Sequence, residues 1–448
     1  MPPAPPTTVA LISLGCPKNL VDAEHLLGLL EQDGFAVEED AQRAEVIIVN
    51  TCAFIEPAEE EAIEALLDMA DLKQEGQCRV LLCTGCLAQR HGEELLEALP
   101  EVDGFLGVGA LPRIGELVRR ALAGERLFIC GDLSFSPDAH LPRWQSGPQW
   151  LAYLRIADGC SHRCTFCTIP TIRGAYRSRP LEDVLTEFDQ HVTSGKREVC
   201  LIAQDTTAYG RDLPGRPSLA DLLRAMGERS FDGWIRVLYG HPQHVTDQLL
   251  DAMAEVPAVV PYLDIPLQHV STPVLRRMGR AGGRQEYLRL LANIRRKLPD
   301  VALRTTFIVG FPGESEADFA ELLGFLEEAR LDRVSAFRYW DEKGTPAASL
   351  PDPVPEDERE ERLARLLEVQ EPISRATNER LVGQRLRVLV ESRVEQLLVG
   401  RSYRDAPEVD GEVKVRGDRQ ALLQVSPGDL VEVRVTRAEV HDLEAELG

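Results

Sequence analysis

Short apolar runs alternate with amphipathic stretches over the first quarter of the chain. Val9 to Leu14, Val46 to Val49 and Val80 to Cys83 are near-continuous apolar runs. They are too short for helices, which predicts strands buried on both faces. Leu20 to Gln32, Pro57 to Asp71 and Glu93 to Leu99 carry apolar residues at helical spacing; Asp33-Gly34 closes the first, and Pro57 suits the first turn of the second. Gly104 to Val108 and Pro112 to Leu122 predict one more strand and helix. This alternation predicts a parallel-sheet α/β domain over residues 8–125.

Residues 126–149 contain Phe135-Ser136-Pro137 and Gly147-Pro148 and read as a connector. A second βα series then begins. Its strands are predicted at Tyr153–Ile156, Val199–Ala203, Ile235–Leu238, Tyr262–Ile265, Leu303–Val309 and Val334–Phe337. Helical patterns between them are clearest at Leu181–Val192, Leu219–Arg229, Glu286–Lys297 and Glu316–Ala329. Six such units predict an incomplete (β/α)6 barrel rather than a closed eight-stranded one. The charged helical stretch Asp352–Glu379 reads as a strut or linker, and the domain is placed at residues 150–378. The periodicity then changes to two. Leu386–Val390, Leu397–Tyr403, Glu412–Val415 and Leu430–Val435 alternate, which predicts a small OB-like β-barrel over residues 381–448.

Composition narrows the class. A chain of 448 residues that is 44% hydrophobic and 27% charged is ordinary for two to four globular domains. It contains no apolar run near the roughly 18 residues a membrane span needs. The start, Met1-Pro2-Pro3-Ala4-Pro5-Pro6, lacks the basic segment of a secretory signal, so a cytoplasmic location and no membrane partner are expected. Ten cysteines are too few for a disulfide framework at this length, and in a reducing compartment they read as metal ligands or small buried residues. The net charge of −23 argues against a generic nucleic-acid binder, whose phosphate affinity comes from Lys and Arg. The C-terminal segment Leu381–Gly448 is itself acidic, with 10 Lys and Arg against 13 Asp and Glu.

The candidate chemistry lies in the cysteines. Gly159-Cys160-Ser161-His162-Arg163-Cys164-Thr165-Phe166-Cys167 leaves the first strand of the second series, at the mouth where barrel active sites are found. Three thiolates on one loop can wrap one metal centre. A structural zinc site wants four closed ligands, with His162 available as the fourth, whereas a three-cysteine iron–sulfur cube leaves one iron open. Three further cysteines, Cys16, Cys52 and Cys86, each sit just past the C-terminal end of a strand in the first domain. Ligand sites of parallel sheets lie along that edge, so these thiols are expected to converge. Cys83, inside a strand, reads as core, and Cys78, Cys130 and Cys200 as structural. The loops Ala203 to Gly210 and Gly310 to Glu314 offer polar groups and close backbone approach suited to a nucleoside, making Gln204, Asp205, Gly310 and Gly313 candidate contacts.

The cysteine loop, with Phe166 directly before its last cysteine, resembles the radical S-adenosylmethionine (SAM) superfamily. That resemblance implies a 4Fe–4S cluster on Cys160, Cys164 and Cys167 whose open iron takes SAM, cleaved on reduction to a 5′-deoxyadenosyl radical; Phe166 joins the candidate SAM contacts. The order of three-cysteine α/β domain, central loop and C-terminal barrel resembles the methylthiotransferases, whose barrel is the TRAM domain. Ile12 to Asn19, Ala203 to Thr206, Ile265 to His269 and Asp405 to Gly411 resemble the group that methylthiolates an aspartate β-carbon of small-subunit ribosomal protein S-twelve (uS12). The resemblance implies a second 4Fe–4S cluster on Cys16, Cys52 and Cys86, a second SAM as methyl donor, and a flavodoxin- or ferredoxin-type electron donor. No catalytic residue beyond the cluster ligands is assigned. The sister group acts on tRNA adenosine and typically has Gln after the first cysteine and a basic barrel. Pro17 and the acidic barrel depart from that pattern, so tRNA is not the expected partner. A non-catalytic zinc-stabilised interaction protein is the reading from a different class.

Overall fold

The computed structural model of the chain describes residues 5–448; the first four residues of the N-terminal segment read above lie outside them. Among the described residues no helix is long and apolar enough to cross a membrane. Three bodies follow one another along the chain.

The first is a six-stranded parallel sheet. Its strands are β1 (Thr8–Ser13), β2 (Ala36–Val37), β3 (Val46–Thr51), β4 (Val80–Gly85), β5 (Gly104–Gly109) and β6 (Leu127–Gly131), in the order β2-β1-β3-β4-β5-β6. Every residue of β3 and β4 is buried, as their uninterrupted apolar sequences require. The helices α1 (Pro17–Gln32), α2 (Glu56–Glu75), α3 (Cys86–Ala98) and α4 (Ile114–Leu122) cover its faces. Two apolar clusters result, one around Ile47, Leu81 and Phe105 and one around Val46, Leu82 and Leu117. The stretch from residue 126, read as connector, begins instead with β6, in parallel register with β5 (Gly104 opposite Leu127). Helix α3 starts at Cys86, seven residues before the predicted Glu93.

The second body carries β7 (Leu151–Arg155), the short antiparallel pair β8 (Ala157–Asp158) and β9 (Arg177–Ser178), then β10 (Glu198–Ile202), β11 (Trp234–Val237), β12 (Val259–Asp264), β13 (Ala302–Val309) and β14 (Arg333–Arg338). The sheet is parallel and open, in the order β14-β13-β12-β11-β10-β7. All six predicted strands are present, and the sheet does not close on itself. The largest apolar cluster packs its outer face against the helices, with Phe188, Phe307, Phe319 and Phe325 fully buried.

The third body is a closed five-stranded barrel of β15 (Arg385–Val394), β16 (Leu397–Ser402), β17 (Val413–Arg416), β18 (Leu430–Ala438) and β19 (Leu443–Leu447). It supplies the part of the central sheet's covering that no βα unit provides. Leu389 and Ala406 join an apolar cluster with Tyr153, Cys200 and Tyr262 from the sheet and Val21 from α1. At its centre Glu198 of β10, fully buried, accepts from Arg236 Nε at 2.7 Å and from Arg401 Nη2 of the barrel at 2.6 Å. Burial alone would raise the Glu198 carboxyl, but Arg401 and Arg236 hold it below the ordinary carboxylate range. Replacing one member of such a group leaves uncompensated charge inside the protein.

Glu198→Ala is therefore expected to destabilise the molecule by about 3–5 kcal/mol, read as a lower denaturant midpoint and as proteolytic release of the barrel. Acid should act in the same direction. A carboxyl depressed in the folded state contributes stability that is present above its unfolded value and is lost as pH falls through the folded one. Barrel docking should thus hold at neutral pH and weaken in acid below about pH 4.3, as followed by proteolysis across a pH series.

Candidate active site

The strand ends of the first sheet lie level: Ser13 is opposite Asn50, and Asn50 is opposite Thr84. The turns carrying Cys16, Cys52 and Cys86 consequently leave one edge. Cys16 is the N-cap of α1 and Cys86 the first residue of α3, so two of the three thiols sit at helix N-termini, where negative charge is favoured. Asn19, fully buried, ties the three turns together. Its Nδ2 donates to the carbonyls of Leu14 (3.2 Å) and Thr51 (2.9 Å), and its Oδ1 lies 3.6 Å from Cys86 Sγ. Gly15 takes φ +89°, and a Cβ there would stand 2.7 Å from Cys52 Cβ. Only glycine lets the first turn approach the second cysteine this closely. Gly15→Ala is expected to lower the iron content of reconstituted protein from about eight to about four per chain while leaving the circular dichroism spectrum unchanged.

The central loop is pinned from several sides. Cys160 N–H donates to Gly174 O at 3.1 Å, Thr165 N–H to Met278 O at 3.0 Å, and Thr165 Oγ1 to Arg277 O at 2.7 Å. Gly159, at φ +75°, precedes the first cysteine, and a Cβ there would meet Ala175 O at 2.2 Å. Phe166 packs edge-on against Phe311, with ring centroids 6.4 Å apart.

All six cysteines, Cys16, Cys52, Cys86, Cys160, Cys164 and Cys167, line one cavity of about 430 Å³ between the first and second bodies. The donor chemistry fits two iron–sulfur centres. Each triad has a guanidinium at one sulfur: Arg173 Nη2 is 3.7 Å from Cys86 Sγ, and Arg280 Nη1 is 3.9 Å from Cys164 Sγ. Burial, with Cys86 and Cys16 close by, pushes the Cys52 thiol up to about 12, and burial pushes Cys167 up to about 12. Burial also raises Cys86 and Cys160. Thiols so placed ionise when a metal centre supplies the compensating charge, and they release protons as it binds. Cys83 is buried among core side chains, and Cys78, Cys130 and Cys200 likewise lie off the cavity.

The other candidate residues separate into those at the cavity and those behind it. Phe166 and Gln204 line it. Asp205 does not: its carboxylate is taken by His162 Nε2 (2.7 Å), His244 Nδ1 (2.8 Å) and Thr207 Oγ1 (2.6 Å). His162 is thereby drawn to a carboxylate and stacks on His241, with centroids 4.2 Å apart, rather than completing a four-ligand set with the cysteines. Burial would raise the Asp205 carboxyl, but hydrogen bonds from His162 and His244 hold it far below the usual range. Gly310 and Gly313 are also away from the lining. Both adopt positive φ, and the space a Cβ would take is filled by other elements' side chains, Arg359 at Gly310 and Arg277 at Gly313.

Lys18, Arg173, Tyr239 and Arg280 line the cavity without having been singled out from the sequence. The signal for two of them was present. Lys18 lies two residues after the first cysteine, and Arg173 opens the basic segment that follows the central loop. Arg173 also fastens the first body to the second: Asp22 of α1 accepts from Arg173 at 2.6 Å and from Arg155 at 2.5 Å.

Open six-stranded sheet, three-cysteine loop at its mouth and facing cysteine triad define a radical SAM enzyme of the two-triad type. Residues 154–326 match the Radical SAM superfamily, residues 8–107 the uncharacterized protein family UPF0004, and residues 382–447 the TRAM domain. The chain is 47% identical over 443 residues to the ribosomal protein uS12 methylthiotransferase RimO of Geobacter sulfurreducens, with 98% of each chain covered. It is 46% identical to the protein of the same name from Myxococcus xanthus, covering 98% of this chain and 91% of that one. Among solved structures, the radical SAM methyltransferase TsrM of Kitasatospora setae shares the fold at a TM-score of 0.56 and 13% identity, over 88% of this chain and 80% of that one. The chain belongs to the RimO family of radical SAM methylthiotransferases.

Proposed function

We propose that the protein adds a methylthio group to the β-carbon of an aspartate in the small-subunit ribosomal protein uS12. The observation that carries this reading is the opening of two three-cysteine sites, from separate domains, into one cavity. Cys160, Cys164 and Cys167 would hold one 4Fe–4S cluster and Cys16, Cys52 and Cys86 the second. When bound, the clusters and SAM supply one-electron cleavage that opens an unactivated C–H bond, together with sulfur and methyl for transfer.

The chain's own residues bind, orient and exclude water. Phe166 and Gln204 are the proposed SAM contacts, Phe166 braced by Phe311. Asp205 acts one step back, holding His162 of the cysteine loop. Tyr176 OH donates to the Asp205 carbonyl at 2.9 Å and fixes that turn in its place. Ile169, Ile172, Phe337 and Trp340 give the cavity apolar walls. The acidic barrel, docked on the central sheet through Glu198 and Arg401, agrees with a protein rather than an RNA substrate. A flavodoxin- or ferredoxin-type electron donor and a cytoplasmic location complete the reading.

Anaerobic reconstitution tests it. The protein is expected to take up about eight irons per chain, and on reduction to convert SAM to 5′-deoxyadenosine. Stoichiometric zinc with no iron chromophore would contradict it.

A further inference from the structure

Four cationic side chains line the cavity: Lys18, Arg173, Arg280 and Arg338. Three are committed. Arg173 is held by Asp22 at 2.6 Å and Asn19 at 2.7 Å. Arg338 pairs with Glu356 and lies 3.9 Å over the Trp340 ring. Arg280 donates to Pro266 O at 2.9 Å and approaches Cys164 Sγ, so it belongs to the central triad's side.

Lys18 is different. It is 8% exposed, and among the described residues no carboxylate lies within ion-pair distance of it. Its Nζ makes one long hydrogen bond, 3.5 Å to Ala203 O, and stands 3.1 Å over the Tyr239 ring. Those two partners leave part of its donor capacity unused. Lys18 comes from α1 of the first body, whereas Ala203 and Tyr239 follow β10 and β11 of the second. The ammonium therefore sits on the seam where the two triads face each other. Cys16, Asp264 and Asp158 act on it without hydrogen bonding to it, and a buried cation with no acid in contact is costly unless an anion arrives to meet it.

Resting on the function proposed above, we infer that Lys18 is the carboxylate-binding group of the cavity. Its ammonium holds the side-chain carboxylate of the substrate aspartate, and so fixes the neighbouring β-carbon between the two cysteine sites. A carboxylate on Lys18 turns an unpaired buried charge into a pair, while an amide in its place does not. The residue is thus a positioning and specificity group, and its effect should be read in which side chain the enzyme prefers.

The test compares binding of uS12 with that of a uS12 variant in which the modified aspartate is replaced by asparagine. Affinities are measured anaerobically on reconstituted wild-type, Lys18→Met and Lys18→Arg proteins. Wild type is expected to bind the aspartate form about 10- to 100-fold more tightly than the asparagine form, as a charge-assisted hydrogen bond implies. Lys18→Met should lose that preference while keeping its iron, and Lys18→Arg should restore part of it. Retention of the preference in Lys18→Met would overturn the inference and leave the proposed function standing. Loss of about half the iron in Lys18→Met would overturn it differently, assigning the ammonium to charge compensation at the Cys16 site. If wild type neither binds nor modifies uS12, the proposed function itself fails, and the role of Lys18 with it.

Discussion

Cys164→Ala is expected to abolish conversion of SAM to 5′-deoxyadenosine and to lower the iron of reconstituted protein from about eight to about four per chain. Cys164 is the middle thiol of the central loop, and Arg280 lies at its sulfur, 3.9 Å away. Groups that only support metal ligands cost about 10- to 100-fold when removed. Loss of a ligand from a three-thiol site should exceed that, taking the reaction to background. The loop itself should survive the change, because its anchors are backbone bonds and Thr165, not the sulfur. Unchanged circular dichroism together with absent 5′-deoxyadenosine is the expected pair of results. Retention of 5′-deoxyadenosine formation within about 10-fold of wild type would remove the central loop from the proposed chemistry.

Cys16→Ala is expected to behave oppositely: 5′-deoxyadenosine continues to form, and methylthio transfer falls by more than about 100-fold. The two triads have their own anchors, joined through Arg173, which donates to Asn19 and directly precedes Gly174. The first hangs from Asn19 and the aligned ends of β1, β3 and β4, the second from Gly174, Met278 and Arg277. Cys16→Ala leaves Asn19 and Arg173 in place, so the central loop should keep its anchors. Iron should again fall to about four per chain. Undiminished methylthiolation by this variant would show that the first triad does not carry sulfur to the substrate.

The residues that build these sites were legible because their neighbours constrain them. Uninterrupted apolar runs at Val46–Val49 and Val80–Cys83 permit only doubly covered strands, and a cysteine just past such a strand must lie on the sheet's carboxyl edge. The six-unit count of the central body was readable for the same reason. Elements with weak or mixed patterns were not. Strand β19 reads Leu443-Glu444-Ala445-Glu446-Leu447, and its two glutamates suit a helix as well as a barrel edge; pairing with β17 and β18 decides it. Strand β6 forms in a segment whose turns suggested a connector, because β5 offers an open edge. The two-residue β2 gives no periodicity at all.

Distant partners were illegible in principle. Glu198 stands just before the strand expected at Val199–Ala203, and nothing local announces that Arg401, 203 positions away, completes its charge. The glycines of the Gly310 to Gly313 turn suggested backbone approach to a ligand. What approaches is protein: Arg359 and Arg277. Asp205 suggested a nucleoside contact, and its oxygens are spent on His162, His244 and Thr207. A polar residue in a loop advertises capacity to bind, not its partner. Lys18 lies before the helix expected from Leu20; the helix starts at Pro17, and the second body closes over the lysine.

Mass spectrometry of uS12 after anaerobic incubation with the reconstituted protein, SAM, sulfide and a reductant tests the central claim most directly. The expected result is one methylthio group replacing one hydrogen, located on an aspartate and absent when either Cys16 or Cys164 is alanine. Unmodified uS12, with methylthioadenosine appearing instead in tRNA supplied to the same reaction, would contradict the account.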